Sequence, residues 1–129
     1  MPKDLSKRAL VRNLVGVLAS DVQPVSNLKV LVKVEKLGGS RMEWAKETIQ
    51  NGLEAYEKLI QDCAGLYSVG DEISMADVCL APAVEGALRW DVDFTVLPKV
   101  WEIYTRLKEV PIFKQGSWRY QEDCPLELR

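Results

Sequence analysis

Ser74 and Asp77, three residues apart and followed at once by the apolar run Val78-Cys79-Leu80-Ala81-Pro82-Ala83-Val84, constrain this chain more than any other stretch. The Ser74 hydroxyl can accept the otherwise orphaned N–H of Asp77, and the Asp77 carboxylate can accept the N–H of Ser74 while sitting at the positive end of the helix dipole. Ile73 and Val78 stand where a hydrophobic staple places its two apolar partners. The pattern predicts a helix start at Ser74. Because the run through Ala87 and Leu88 is apolar on nearly every side, that helix belongs in the middle of a bundle. Pro82, inside it, predicts a kink. Capping accounts for both Ser74 and Asp77, so they are read as folding residues and not as catalytic ones.

The other segments read as helices that could surround this one. From Asp4 to about Val22, Leu5, Ala9, Leu10, Leu14, Val17 and Leu18 recur at three- and four-residue steps, predicting an amphipathic helix interrupted at Gln23-Pro24. Asn27 restarts a helical run through Leu28, Leu31, Val32 and Glu35, which Gly38-Gly39 ends. Ser40 and Glu43 form a second capping box, opening a long helix whose stripe is Ala45, Ile49, Gly52, Leu53, Tyr56, Leu59, Ile60 and Cys63. Gly52 inside it implies a close helix contact or the approach of a ligand. Ala64-Gly65 closes that helix, and Leu66 to Val69 is too short to predict a sheet. Trp90 to Leu97 reads as a loop. Pro98 suits the first turn of a helix with Val100, Trp101, Tyr104 and Leu107 inside. Pro111 stops it, Ile112 to Gln115 add a turn, and a polar tail crosses the surface. The expectation is one all-α domain, residues 1–129, a bundle of about five or six helices.

Composition narrows the chemistry. A net charge of −2 gives no general electrostatic reason to expect nucleic acid or an anionic membrane as partner, and Arg8 and Arg12 alone make no such site. No apolar run reaches membrane-spanning length and the opening Met1-Pro2-Lys3-Asp4 is unlike a signal peptide, which predicts the cytosol. Cys63, Cys79 and Cys124 are odd in number and widely spaced, so neither a disulfide framework nor a metal site is expected; Cys63 and Cys79 read as small buried hydrophobes. The chain has no histidine. That removes Ser-His and Cys-His nucleophile pairs, so no self-contained catalytic group is expected. Trp44, Trp90, Trp101 and Trp118 read as core or interface anchors. Tyr67, Tyr104 and Tyr120 have no identifiable partner that would make them thiol activators.

The segment Gly70-Asp71-x-x-Ser74-x-Ala76-Asp77-x-x-Leu80 resembles the signature of the helical C-terminal domain of cytosolic glutathione transferases. Four further segments are similar to the zeta class of that family. They are Lys7-Arg8-Ala9-x-Val11-Arg12, Ala19-Ser20-Asp21-x-Gln23-Pro24-x-x-Asn27-Leu28-x-Val30, Ala64-Gly65-x-Tyr67-x-Val69-Gly70-Asp71-Glu72, and Cys124-Pro125-x-Glu127-Leu128-Arg129. The resemblance covers essentially the whole chain but starts at the helical domain. It implies that the family's N-terminal thioredoxin-like domain, which carries the Ser/Cys motif that activates glutathione, is absent.

The best-known activity of the class is the glutathione-dependent isomerisation of maleylacetoacetate in tyrosine and phenylalanine breakdown. The resemblance implies that this chain is the substrate-site half of such an enzyme and is inactive alone. It places Gln23, Asn27 and Leu28 toward glutathione, where side-chain amides suit the peptide groups. The bland reading of Gln23-Pro24 and Asn27 is a helix break and restart. Lys29 departs from the small polar residue of the family, and could pair with a glutathione carboxylate or obstruct it. Arg89, at the end of the apolar helix, is placed facing a dicarboxylate substrate; otherwise it is a cation at a helix C-terminus with a solvated tip. Two kinds of partner follow, a thioredoxin-like domain or another protein on the exposed docking face, and a homodimer is among the assemblies allowed. The alternative function is a non-catalytic helical module for protein–protein interaction.

Overall fold

The computed structural model describes residues 1–128; Arg129, which ends the C-terminal match above, lies outside the described residues. In chain order the helices are α1 (Leu5–Gly16), α2 (Gln23–Ser26), α3 (Leu28–Lys36), α4 (Arg41–Ile60), α5 (Met75–Ala87), α6 (Pro98–Leu107) and α7 (Pro111–Gly116). Short 3-10 turns follow at Phe94–Val96, Trp118–Tyr120 and Leu126–Leu128. Among the described residues the β pairings are two isolated bridges, Ala64 with Gly70 and Tyr67 with Gly70. The fold is all-α, as expected.

The first correction concerns Pro24. The chain does not leave the helix at Gln23-Pro24, because Val17–Val22 is wound as a π-helix that joins α1 to α2. Pro24 has no N–H to give Ser20, and its ring would crowd that carbonyl in a regular α-helix. The wider π turn, in which the Gln23 N–H donates to Leu18 O, carries the chain through the proline. The break comes at Asn27, where ψ is 157°. With α1 and α2 continuous, the α-helices of the described residues form six bodies. Their first buried stripe is Val11, Leu14, Leu18 and Val22, whereas Leu5 and Ala9, expected inside, are exposed.

At Gly52, α4 meets the π segment so closely that a Cβ would lie 2.0 Å from Val22 Cγ2. Helix contact, not ligand approach, explains the glycine. Gly52→Ala is expected to destabilise the fold by about 1–2 kcal/mol, overpacking outweighing alanine's better helix propensity. Equilibrium urea unfolding reads this; an unchanged midpoint would show that Val22 swings aside freely.

Helix α5 packs against α1 and α6, and α4 against α3 and α6. Leu53, Tyr56, Leu80, Val84, Val100 and Ile103 share the resulting core. In α6 the inner side includes Ile103, while Trp101, expected there, is 40% exposed and stacks at its rim on Phe94 and Tyr104. Nor is α5 buried all round: Met75, Val78 and Leu88 are each about half-exposed. The tail runs across the surface, as expected, and is anchored there. Cys124 is buried, and Gln121 Nε2 donates to Gln115 O and Ser117 O.

Helix α6 has no side-chain cap of its own, since Leu97 precedes Pro98. Glu57 of α4, buried and absent from the predicted stripe, supplies one: its carboxylate accepts the Lys99 N–H at 3.2 Å and the Val100 N–H at 2.8 Å. Negative charge at that helix end is also favoured by the dipole. Glu57→Ala is expected to remove about 2–3 kcal/mol of stability, because two amide donors lose their acceptor. Glu57→Gln should lose less, keeping one acceptor. A urea midpoint unmoved by the alanine change would mean that water replaces the carboxylate.

Candidate functional site

The start of α5 is built as the capping pattern requires, with one additional partner. Both halves of the Ser74–Asp77 box form: the Ser74 N–H donates to Asp77 Oδ2 at 2.8 Å, and the Ser74 hydroxyl donates to the same oxygen at 3.0 Å while accepting from the Ala76 N–H at 3.2 Å. Asp77 Oδ1 accepts the Ser68 N–H at 2.8 Å, and Tyr56 Oη donates to Ser68 Oγ at 2.8 Å. All four residues are buried. Burial raises the Tyr56 hydroxyl far above its ordinary pKa, so it remains a donor. The loop before α5 is thereby tied to both α4 and α5. Ile73 and Val78 do not complete a closed staple, being 40% and 50% exposed.

Val78 instead lines a groove of about 720 Å³. Its floor is the outer side of α5, including Ala81 and Pro82, and its far wall is Phe113 and Ile112 of α7 with Trp118 and Tyr120 beyond. Its rim is charged, with Glu85, Lys108 and Arg119 beside the Glu109–Lys114 ion pair at 2.8 Å. That pairing lowers the Glu109 pKa and raises that of Lys114. Tyr104 also lines the groove; burial, and then the nearby Glu85 carboxylate, push its pKa up. It stays a phenol at neutral pH, unsuited to taking a proton from a thiol.

Arg89 lies just past Leu88, the C-cap of α5, and is exposed. Its guanidinium carbon sits 5.1 Å from the centroid of the Trp118 ring, and it enters none of the four ion pairs formed among the described residues. Gln23, Asn27 and Leu28 come together at the α2–α3 junction. Asn27 is the N-cap of α3, its Oδ1 accepting the Val30 N–H at 3.2 Å and its Nδ2 donating to Pro24 O at 2.7 Å. One donor and one lone pair of the amide are left. Gln23 is exposed, and so is Leu28, at 68%.

Cys63 and Cys79 are not activated nucleophiles. Cys63 and Cys79 are half-buried, more open than the buried hydrophobes expected, and burial pushes both thiols up in pKa. Among the described residues no group of three or more His, Cys, Asp or Glu side chains gathers as a metal site would require, and no helix is long and apolar enough to cross a membrane. Sequence reasoning missed Ser68 and Glu57 and did not connect Trp118 with Arg89. For Glu57 a signal existed: it stands four residues after Leu53 and three before Ile60, at the edge of the apolar stripe, and the helix start at Pro98 has no side-chain cap.

The structure is a helical bundle centred on a capped helix, with an apolar groove along that helix and a cationic fork past its end. The chain belongs to the glutathione S-transferase C-terminal domain family, whose model matches residues 25–115. It is 46% identical over 123 residues to the maleylacetoacetate isomerase of Emericella nidulans, covering 95% of this chain and 54% of that protein. The crystal structure of maleylacetoacetate isomerase from Anaeromyxobacter dehalogenans 2CP-1, with dicarboxyethyl glutathione and citrate in its active site, superposes with a TM-score of 0.92 at 34% identity, covering 97% of this chain and 57% of that one. A maleyl pyruvate isomerase, a bacterial glutathione S-transferase of the zeta class, superposes with a TM-score of 0.91 at 30% identity, covering 97% and 62%. The likeness to zeta-class proteins thus runs along essentially the whole chain, which spans between about half and two-thirds of each relative.

Proposed function

We propose that this helical domain is the substrate-facing half of a glutathione-dependent isomerase of the maleylacetoacetate type, acting in the cytosol in tyrosine and phenylalanine breakdown. The observation that carries the reading is Arg89, a permanently charged fork without an ion-pair partner among the described residues, held beside an apolar groove. Whole-chain similarity to isomerases of maleylacetoacetate and maleylpyruvate supports it, because a maleyl group is a cis-alkene bearing a carboxylate that a guanidinium can grip at two points. In the reaction the glutathione thiolate adds to the cis double bond, the new single bond rotates, and expulsion of the thiolate restores the double bond as trans. Arg89 holds a carboxylate and shares the negative charge of the enolate-like intermediate. Gln23, Leu28 and the remaining hydrogen-bonding capacity of Asn27 face glutathione.

A thioredoxin-like half ionises the thiol, a division of labour favoured by the lack of histidine in this chain. Homodimers of the joined halves are the proposed working form. The test is to fuse this chain to the thioredoxin-like half of a zeta-class relative and to measure isomerase turnover and, by calorimetry, glutathione binding. Turnover is expected from the fusion and only background from the chain alone. Strong turnover by the chain alone would overturn the division of labour. A fusion that neither binds glutathione nor turns over, while the chain captures a stable protein partner, would instead favour the interaction module.

A further inference from the structure

Arg89 reaches the groove's edge only through Trp118, which lines the groove and lies beneath the guanidinium at 5.1 Å. We infer that Trp118 is a positioning residue, holding the Arg89 fork so that it meets a dicarboxylate already oriented; this rests on the Arg89 reading given above. The physical case is one of competition for donors. A long, exposed arginine has a large rotamer entropy, and an anion that binds it must freeze that motion. A carboxylate neighbour would hold the side chain but would occupy the N–H groups the ligand needs. An indole face holds the cation through its quadrupole and leaves all five N–H donors available. Indole is also the strongest of the aromatic partners for this purpose. Arg119 lies 4.8 Å from the same ring. Trp118 sits on the 3-10 turn after α7, so the anchored tail, and not α5 itself, sets where the fork points.

The competing explanation is that Trp118 merely pins the tail, and the experiment separates the two. Nε–H signals of Arg89 are followed by NMR in the fusion of this chain to the thioredoxin-like half of a zeta-class relative, and in its Trp118→Phe and Trp118→Leu variants, without glutathione, first without ligand and then during titration with maleate, with acetate as monoanion control. Without ligand, Arg89 Nε–H is expected to be rigid and ring-shifted in the parent and in Trp118→Phe, and mobile in Trp118→Leu. With maleate, Trp118→Leu is expected to bind about three- to fivefold more weakly at Arg89, and Trp118→Phe within about twofold of the parent. Equal Arg89 mobility in all three proteins would overturn the inference. So would a parent that responds to maleate with an affinity Trp118→Leu shares, and in that case the Arg89 assignment survives. If Arg89 in the parent ignores maleate, the substrate reading of Arg89 falls and the inference falls with it.

Discussion

Asp77→Ala is expected to lower the stability of this chain by about 3–5 kcal/mol, a large fraction of what holds a protein of this size folded. The Asp77 side chain is wholly buried and its two oxygens accept from three donors: the Ser68 N–H, the Ser74 N–H and the Ser74 hydroxyl. Removing the carboxylate strands all three. Each hydrogen bond to a charged acceptor contributes about 1.5–3 kcal/mol, and a buried amide left without a partner carries its full desolvation penalty. The hydroxyl can turn to another acceptor, which is why the expected loss is less than the sum. Asp77→Asn should lose less, about 2–3 kcal/mol, because its one carbonyl oxygen can serve Ser68 or Ser74 while its NH2 faces a donor on the other side. Tyr56→Phe, which removes only the outermost bond of the chain to Ser68, should lose about 1 kcal/mol. Urea unfolding of the three variants gives the ordering. If Asp77→Ala lost less than Tyr56→Phe, the carboxylate would not be the centre of this network. The change also reaches the candidate site, since the loop it ties down precedes α5, whose outer side forms the groove floor.

What could be read from the sequence follows the range of the interactions. The Ser74, Asn27 and Ser40 caps are contacts between residues three apart, and all three helices begin where these residues stand. Ser68 lies nine residues from Asp77, and Glu57 lies 43 from Val100. No local rule connects such pairs, although the charge of Glu57 at the edge of the apolar stripe was visible. Pro24 misled for a related reason: the local rule says break, but packing of Val22 against Gly52 coincides with a π segment that passes the proline without one. Leu5, well before that segment, is exposed, and Val22, within it, is buried. At the site, Arg89 stood out because a charge ends an apolar helix. Its contact with Trp118 was illegible, because the partner comes from a segment with no periodicity.

Replacing Arg89 with glutamine in the fused, two-domain enzyme is expected to lower kcat/KM for the cis substrate by about 10²-fold, equivalent to about 2.7 kcal/mol. Arg89→Lys, which keeps the charge but loses the planar fork, should recover part of this and leave a deficit of about tenfold. Neither change should alter stability by more than about 0.5 kcal/mol, since Arg89 is exposed and joins no ion pair among the described residues. The magnitude itself decides between two situations. An arginine as open to water as Arg89 is in this chain would interact with a carboxylate by only about 0–1 kcal/mol, the worth of a surface ion pair. A hundredfold effect therefore requires the second domain to close over Arg89 and exclude water, which strengthens every charge interaction inside. If kcat falls and KM does not, Arg89 acts on the enolate-like intermediate; if KM alone rises, it only gathers substrate. A loss of fivefold or less, with full stability, would return Arg89 to the role of a solvated cation at the end of α5.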